Sequence, residues 1–373
     1  MKTAFTIIKW LFKTAFLIVG SFPVFRCGSS EEENTPVKFQ GKVITDKDFI
    51  VLNDQFAKDS TTAYYKSRSF QYADIPTFEA VDDHYAKDKN KVYYCDEYRE
   101  GQNYYLTKKQ TILEIKSADP ATFTSLGNGY AKDYKHAWLA GNSFDVKNVK
   151  SLTGINGYFV KDNISAYLNL KPIAGSHGKS FELIDQHFAK DNASIYYYGY
   201  TGEGQHNICI LPCDRNTFEI LDYRYSKDNQ KVFFLGFTLK GADVASFELL
   251  EEDYSRDKNA VYFQSRKITN ADPASFVVYE ENGMFGHDFN YARDKSFVYM
   301  DDVQVTAADV KTFKVLGENY GSDYKHVFYK NKIVKGADPQ SFNVYPHDFG
   351  DADAEDSTSK FHEGVKVTNE AVY

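Results

Sequence analysis

One aspartate recurs along this chain with a fixed spacing, and that spacing limits the fold more than any other feature. It stands at Asp59, Asp88, Asp133, Asp162, Asp191, Asp228, Asp257, Asp294 and Asp323, with successive differences of 29, 45, 29, 29, 37, 29, 37 and 29 residues. The unit is therefore 29 residues, and the exceptions are that unit plus 16 or plus 8. A period of this size marks an array whose units bury their apolar faces against each other. Nine copies in register make this a repeat protein.

Around each aspartate the residue types repeat. Three positions earlier stand Phe56, Tyr85, Tyr130, Phe159, Phe188, Tyr225, Tyr254, Tyr291 and Tyr320. Five positions later stand Tyr64, Tyr93, Trp138, Tyr167, Tyr196, Phe233, Tyr262, Tyr299 and Phe328, flanked on both sides by apolar residues. Three adjacent apolar residues cannot share one face of a pleated strand. This strand must be covered on both faces or packed between neighbouring units.

The polar centre is turn chemistry, since an aspartate between two apolar segments accepts from backbone N–H groups just beyond it. The phrase YAKDKNKVYY (Tyr85 to Tyr94) is thus expected to be a tight hairpin. Lys or Arg precedes the aspartate in eight copies, with Ser322 the exception, which suggests a solvated, mutually compensating stripe of Lys and Asp. Ten residues before the aspartate lies Phe49, Phe78, Phe123, Leu152, Phe181, Phe218, Phe247 or Phe313, with Phe276 displaced. Phrases such as SADPATF (Ser117 to Phe123) lead into it. Asp followed by Pro is an N-cap and a first helical position, so a short helical turn is expected there. The unit reads strand, turn, strand, short helical turn, strand.

The extra residues fall between the VYY strand and the helical turn in two units, and in NGMFGHDF (Asn282 to Phe289) in a third. Lengthening a hairpin by 8 or 16 adds an even number to each arm and keeps every side chain on its face. Those excursions are where units can differ in function. At the ends, VKFQGKVI (Val37 to Ile44) matches only the second half of a unit. Beyond Phe342 the alignment keeps Phe349 but puts Ala352 in the aspartate position, which reads as a degenerate C-terminal cap over residues 350–373.

Composition agrees with an all-β array. The 29 Tyr and 30 Phe against 2 Trp and 3 Met favour strands. Net charge is −8 and the basic residues are scattered singly, so nucleic acid is not an expected partner. Residues 1–27 carry early lysines (Lys2, Lys9, Lys13) and an apolar run from Thr14 to Phe25, the order of a signal segment. Cys27 and the acidic residues 28–36 resemble a bacterial lipoprotein signal followed by the tether of Bacteroidetes surface lipoproteins, although Arg26 stands where a small residue is usual. Lipidation at Cys27, an uncleaved anchor over Phe5 to Phe25, and an ordinary cleaved signal are the three readings. Each places the body in the cell envelope, lipid-anchored at the outer membrane or surface, or else periplasmic or secreted.

Chemistry-bearing motifs are sparse. Cys95, Cys209 and Cys213 all lie in the longer hairpins, and Cys209 with Cys213 is the candidate disulfide, with two free thiols as the alternative. His136 and His326 share one repeat position, His84 and His187 another, as structural residues would. The carboxylates Asp82 and Asp83, and Glu251, Glu252 and Asp253, read as a solvated face rather than a calcium site. Tyr196, Tyr197, Tyr198 and Tyr200 in YYYGYTG are the candidate ligand contacts, able in principle to stack on sugars. No catalytic, metal or cofactor site is expected.

DKNKVYY (Asp88 to Tyr94) and DKNAVYF (Asp257 to Phe263) resemble the signature of the DKNYY family of bacterial repeat proteins, over residues 37–349. The resemblance implies an envelope or secreted array and carries over no catalytic residues. The expected fold is an all-β solenoid-like stack of ten or so units, with a closed propeller as the alternative. The expected function is a non-enzymatic envelope scaffold contacting another protein or the envelope itself; a surface glycan-binding module is the alternative.

Overall fold

The computed structural model describes residues 38–43, 47–99, 108–200, 206–251, 253–279, 291–345 and 352–367. The signal segment, Cys27, the acidic tether, Phe349 and the insertion Asn282 to Phe289 lie outside the described residues. No helix among the described residues is long and apolar enough to cross a membrane.

Among the described residues, ten four-stranded antiparallel sheets follow one another, preceded by a hairpin of Lys38–Phe39 with Lys42–Val43. Each sheet is a meander in chain order. In one of them the strands are Glu248–Leu249, Tyr254–Arg256, Val261–Phe263 and Arg266–Lys267. Their registers pair Glu248 with Arg256, Tyr254 with Phe263, and Tyr262 with Lys267. The fourth strand was not legible from periodicity: it is two residues long, too short to show alternation. The expected helical turn is a single turn. It is a 3-10 turn at Ile75–Thr77, Val149–Ser151 and Gly178–Ser180, and at Asp119 a turn closed by Thr122 N–H on Asp119 O at 3.3 Å.

The adjacent apolar residues are covered as their pattern demands. Tyr254, Val261 and Phe263 pack forward on Phe276, Ala292 and Tyr299 of the next sheet. Tyr262, between them, packs backward with Tyr225, Phe234 and Phe247. Alternation thus sends successive side chains to opposite neighbours. Each core cluster joins two consecutive sheets, and among the described residues none joins the tenth to the first. The array is a solenoid-like stack, not a closed propeller. Burial of each ring contributes about 1.5–3 kcal/mol, more than the hydrogen bonds at about 1 kcal/mol each. Packing holds the sheets together; the polar contacts set how they sit.

Polar contacts also cross between sheets. Tyr85 Oη donates to Gly129 O at 2.7 Å, and Tyr291 Oη to Lys330 O at 2.7 Å. The lysine before the aspartate reaches the turn of the next unit: Lys58 Nζ donates to Ile75 O at 3.0 Å and Phe78 O at 2.8 Å. Lys161 Nζ likewise donates to Phe181 O at 2.6 Å. This corrects the compensating stripe of Lys and Asp, because eight of the nine aspartates, all but Asp59, are buried, and Lys58, Lys87, Lys132 and Lys161 satisfy backbone carbonyls instead.

The C-terminal alignment is also corrected. The tenth sheet comprises Asn343–Val344, Ala354–Glu355, Lys360–His362 and Val365–Lys366, and Asp356, not Ala352, holds the turn. Thr358 N–H and Asp338 N–H both donate to Asp356. Phe361 and Ala354 pack back on Tyr320 and Val327, while Asp353, Lys360 and His362 take the positions that face forward in other units. A polar outer face is what a capping unit requires.

Candidate functional site at the second long hairpin

The recurrent aspartate reads as turn chemistry in the sequence, and the structure shows where its hydrogen-bonding capacity goes. Asp162 is 2% exposed. Its Oδ1 accepts from Ile164 N–H and Ser165 N–H, each at 2.7 Å. Its Oδ2 accepts from Tyr167 Oη at 2.7 Å and Asn148 N–H at 2.8 Å. Asp88, Asp191, Asp257 and Asp294 repeat all four contacts. Burial of Asp162 opposes its ionisation, but the donors of Ser165, Tyr167, Ile164 and Asn148 outweigh it and hold the carboxyl below its usual range. Such an aspartate has no capacity left for a ligand.

The histidines and acidic pairs are likewise engaged within the fold. His136 and His326 sit beside the aspartates of their own turns, with Nδ1 3.6 Å from Asp133 Oδ2 and 3.8 Å from Asp323 Oδ1. Asp82 Oδ1 accepts from His84 N–H and Tyr85 N–H, both at 2.7 Å. Asp253 pairs with Arg224 and accepts from Gln264 Nε2 at 2.8 Å. Among the described residues no group of three His, Cys, Asp or Glu is placed to hold a metal.

The insertions do extend hairpins. Val92–Tyr98 pairs with Lys109–Glu114, from Tyr93 opposite Glu114 to Tyr98 opposite Lys109. Ile195–Tyr200 pairs with His206–Ile210, from Tyr196 opposite Ile210 to Tyr200 opposite His206. On the first, Glu97 meets Lys108 at 2.8 Å and Lys66 of the previous sheet at 3.2 Å, and the Lys108 contact chiefly draws its carboxyl down to about 2.

Three of the four tyrosines expected to contact a ligand are enclosed in the core. Tyr196, Tyr197 and Tyr198 are buried at 0, 6 and 6% exposure because their strand continues the stacked core beyond the usual three residues. Tyr196 Oη is bound to Asp191, and Tyr198 stands edge-on to Phe159 at 4.9 Å. The side chain of Tyr200 lies outside the described residues. The disulfide is corrected too: Cys209 and Cys213 are free thiols, as is Cys95. The chain stays extended as far as Leu211, whose N–H bonds Ile195 O, and this carries Cys209 away from Cys213. Burial pushes all three thiols up from their ordinary values, so they are poorly ionised near neutrality.

A cleft of about 360 Å³ opens at the base of the second long hairpin. It is lined by Asn156 and Tyr158 of the fourth sheet, by Asp185, Gln186 and His187 in the first turn of the fifth, and by Tyr198 and Gly199 of the hairpin itself. Tyr158 is 48% exposed, with its ring 6.1 Å from that of Tyr198. His187 Nδ1 lies 3.2 Å from Tyr198 O; a carbonyl only accepts, so Nδ1 is the donor, and in the neutral ring Nε2 is the acceptor. Sequence reasoning missed this group. The available signal was Tyr158 itself, the one tyrosine four residues before any of the recurrent aspartates.

Residues 9–97, 98–236 and 225–362 each match the model of the DKNYY family. No curated protein and no solved structure matches the chain.

Proposed function

The chain belongs to the DKNYY family, and on that premise we propose that it is a non-enzymatic interaction scaffold of the cell envelope, recognising a protein or an envelope component through its long hairpins. One observation carries this reading. The residues that repeat, Asp162 and Tyr167 among them, are consumed in building and joining the sheets. What distinguishes one unit from another is then the reach of Val92–Tyr98 with Lys109–Glu114 and of Ile195–Tyr200 with His206–Ile210. The envelope location rests on the order of early lysines, apolar run and Cys27 in residues 1–27.

The test replaces residues 97–110 by Asn-Gly, which closes the first hairpin at the Asp96–Thr111 pair and keeps the buried core of the stack, giving up edge contacts such as those of Glu97 with Lys66 and of Gln110 with Arg68. In native cells the unaltered protein is expected to sediment with membranes and to crosslink to a defined partner that the shortened variant loses. A chain that remains in the cytosol, or a partner captured equally by both forms, defeats the proposal.

A further inference from the structure

We propose that the cleft beneath the second long hairpin binds a neutral glycan, with Tyr158 as the stacking platform. The inference rests on the scaffold reading only in taking the long hairpins as the place of recognition. A sugar ring presents an apolar C–H face and a rim of hydroxyls, and this cleft offers a surface for each. Tyr158 supplies a half-exposed ring backed by Tyr198. The rim finds both kinds of hydrogen-bonding group. Asn156 Oδ1 accepts Tyr158 N–H at 3.2 Å, which leaves its amide N–H groups to donate. Gln186 is exposed at the same edge. Asp185 Oδ1 takes His187 N–H and Phe188 N–H, each at 2.7 Å, and Oδ2 remains to accept from a hydroxyl. His187 Nε2 is a second acceptor.

Other ligand classes fit less well. No Lys or Arg lines the cleft, so a phosphate or an acidic sugar meets Asp185 without a compensating cation. A wholly apolar ligand would strip water from Asn156, Asp185 and Gln186 and return no hydrogen bond. The volume lies at the lower end of the roughly 300–1,000 Å³ of small-ligand sites, which suits a mono- or disaccharide segment of a longer chain. The first long hairpin lacks the platform. There the position of Tyr158 is taken by Gln55 and that of Asn156 by Asn53, whose Nδ2 already bonds Asp82 O at 3.1 Å.

The experiment titrates the full chain, in a detergent without sugar headgroups, with hexamers of β-linked glucose and of N-acetylglucosamine. Saturation-transfer NMR and calorimetry are the readouts. Binding of at least one hexamer is expected, with transfer strongest to protons on one ring face. Tyr158→Ala is expected to weaken it about tenfold or more, whereas Tyr158→Phe keeps it, since the ring is what stacks. Tyr134→Ala, on a residue 68% exposed elsewhere in the array, should change nothing. Absence of transfer to either hexamer, or binding that survives Tyr158→Ala, overturns the proposal. If sugar binding fails while the hairpin-dependent crosslink of the preceding section persists, the glycan site falls and the scaffold stands; the reverse result removes the scaffold alone.

Discussion

Tyr167 donates its phenolic proton to Asp162 Oδ2 across 2.7 Å, inside the stack and five residues along the chain. The same carboxylate oxygen takes Asn148 N–H at 2.8 Å from the turn that opens the unit. One side chain therefore fastens the hairpin turn, the central strand and the helical turn of a unit together. Asp162→Asn keeps one acceptor oxygen and puts an amide NH2 where the other stood, facing two of the four donors. The expected loss is about 2–4 kcal/mol, since buried charged hydrogen bonds are expensive to orphan. The natural array offers a converse. Phe233 occupies the position of Tyr167 beside Asp228, whose Oδ2, among the described residues, accepts from Asp214 N–H alone, at 2.7 Å. Phe233→Tyr should supply the missing donor and stabilise its unit by about 0.5–1.5 kcal/mol. Hydrogen exchange of the amides at Asp162 and Asp228 reads both effects locally, as a repeat array requires. A Phe233→Tyr variant that exchanges faster would show that the hydroxyl does not reach Asp228.

Much of this fold was legible because its determinants are local and repeated nine times. The Tyr85 to Tyr94 phrase announces a hairpin, and its adjacent apolar residues announce a strand buried on both faces. Two-residue strands such as Arg266–Lys267 leave no periodic trace, so the fourth strand stayed hidden. Asp356 escaped because 33 residues, not 29, separate it from Asp323. The candidate site was harder. Tyr196 to Tyr198 looked like an exposed aromatic cluster, and only the stacking of sheets reveals that their strand is core. Conversely Tyr158 and His187 lie 29 residues apart, a single period, so they hold equivalent positions on neighbouring sheets and line one cleft. A period is visible in a sequence; which of its positions lies at an open edge is decided by packing.

Stability should fall at both ends of the pH scale for opposite reasons. Burial opposes ionisation of Asp133, Asp191, Asp228 and Asp294, yet their hydrogen-bond donors prevail and keep each carboxyl below its ordinary value. The unfolded chain therefore takes up protons first as pH drops below about 4, and the stability these groups give above that range is lost progressively. Tyrosines behave the other way. Burial pushes Tyr94, Tyr197 and Tyr225 up to about 12 and Tyr85, Tyr130 and Tyr291 higher still. Above about pH 10 the unfolded chain releases phenolic protons that the folded one keeps, so stability declines again. Melting followed by circular dichroism should show a plateau between about pH 5 and 9 with a fall on each side. Phenolate absorbance should appear together with unfolding, not before it. Free titration of most tyrosines near pH 10 in a folded protein would contradict the buried stack.

The contact between adjacent sheets is sensitive to a small change at Gly236, which follows Leu235 in the turn between the last two strands of its sheet. Both residues have positive φ, 48° for Leu235 and 84° for Gly236. A Cβ on Gly236 would meet Cys209 Sγ at 2.7 Å and Tyr197 Cβ at 3.1 Å, so two separate costs attach to Gly236→Ala. The left-handed backbone costs about 1 kcal/mol. The collision with the second long hairpin adds about 1–2 kcal/mol of overpacking. Gly241 separates them, because its φ is 81° and nothing lies within 4 Å of its Cβ. Gly241→Ala should therefore cost only the backbone part. Adding Cys209→Ala to Gly236→Ala should recover part of the collision but none of the backbone strain, after allowance for Cys209→Ala alone. Urea unfolding of the four variants provides the comparison. Equal losses at Gly236 and Gly241 would mean that the turn does not press on Cys209, and the fifth and sixth sheets would then be packed less closely than their aromatic contacts require.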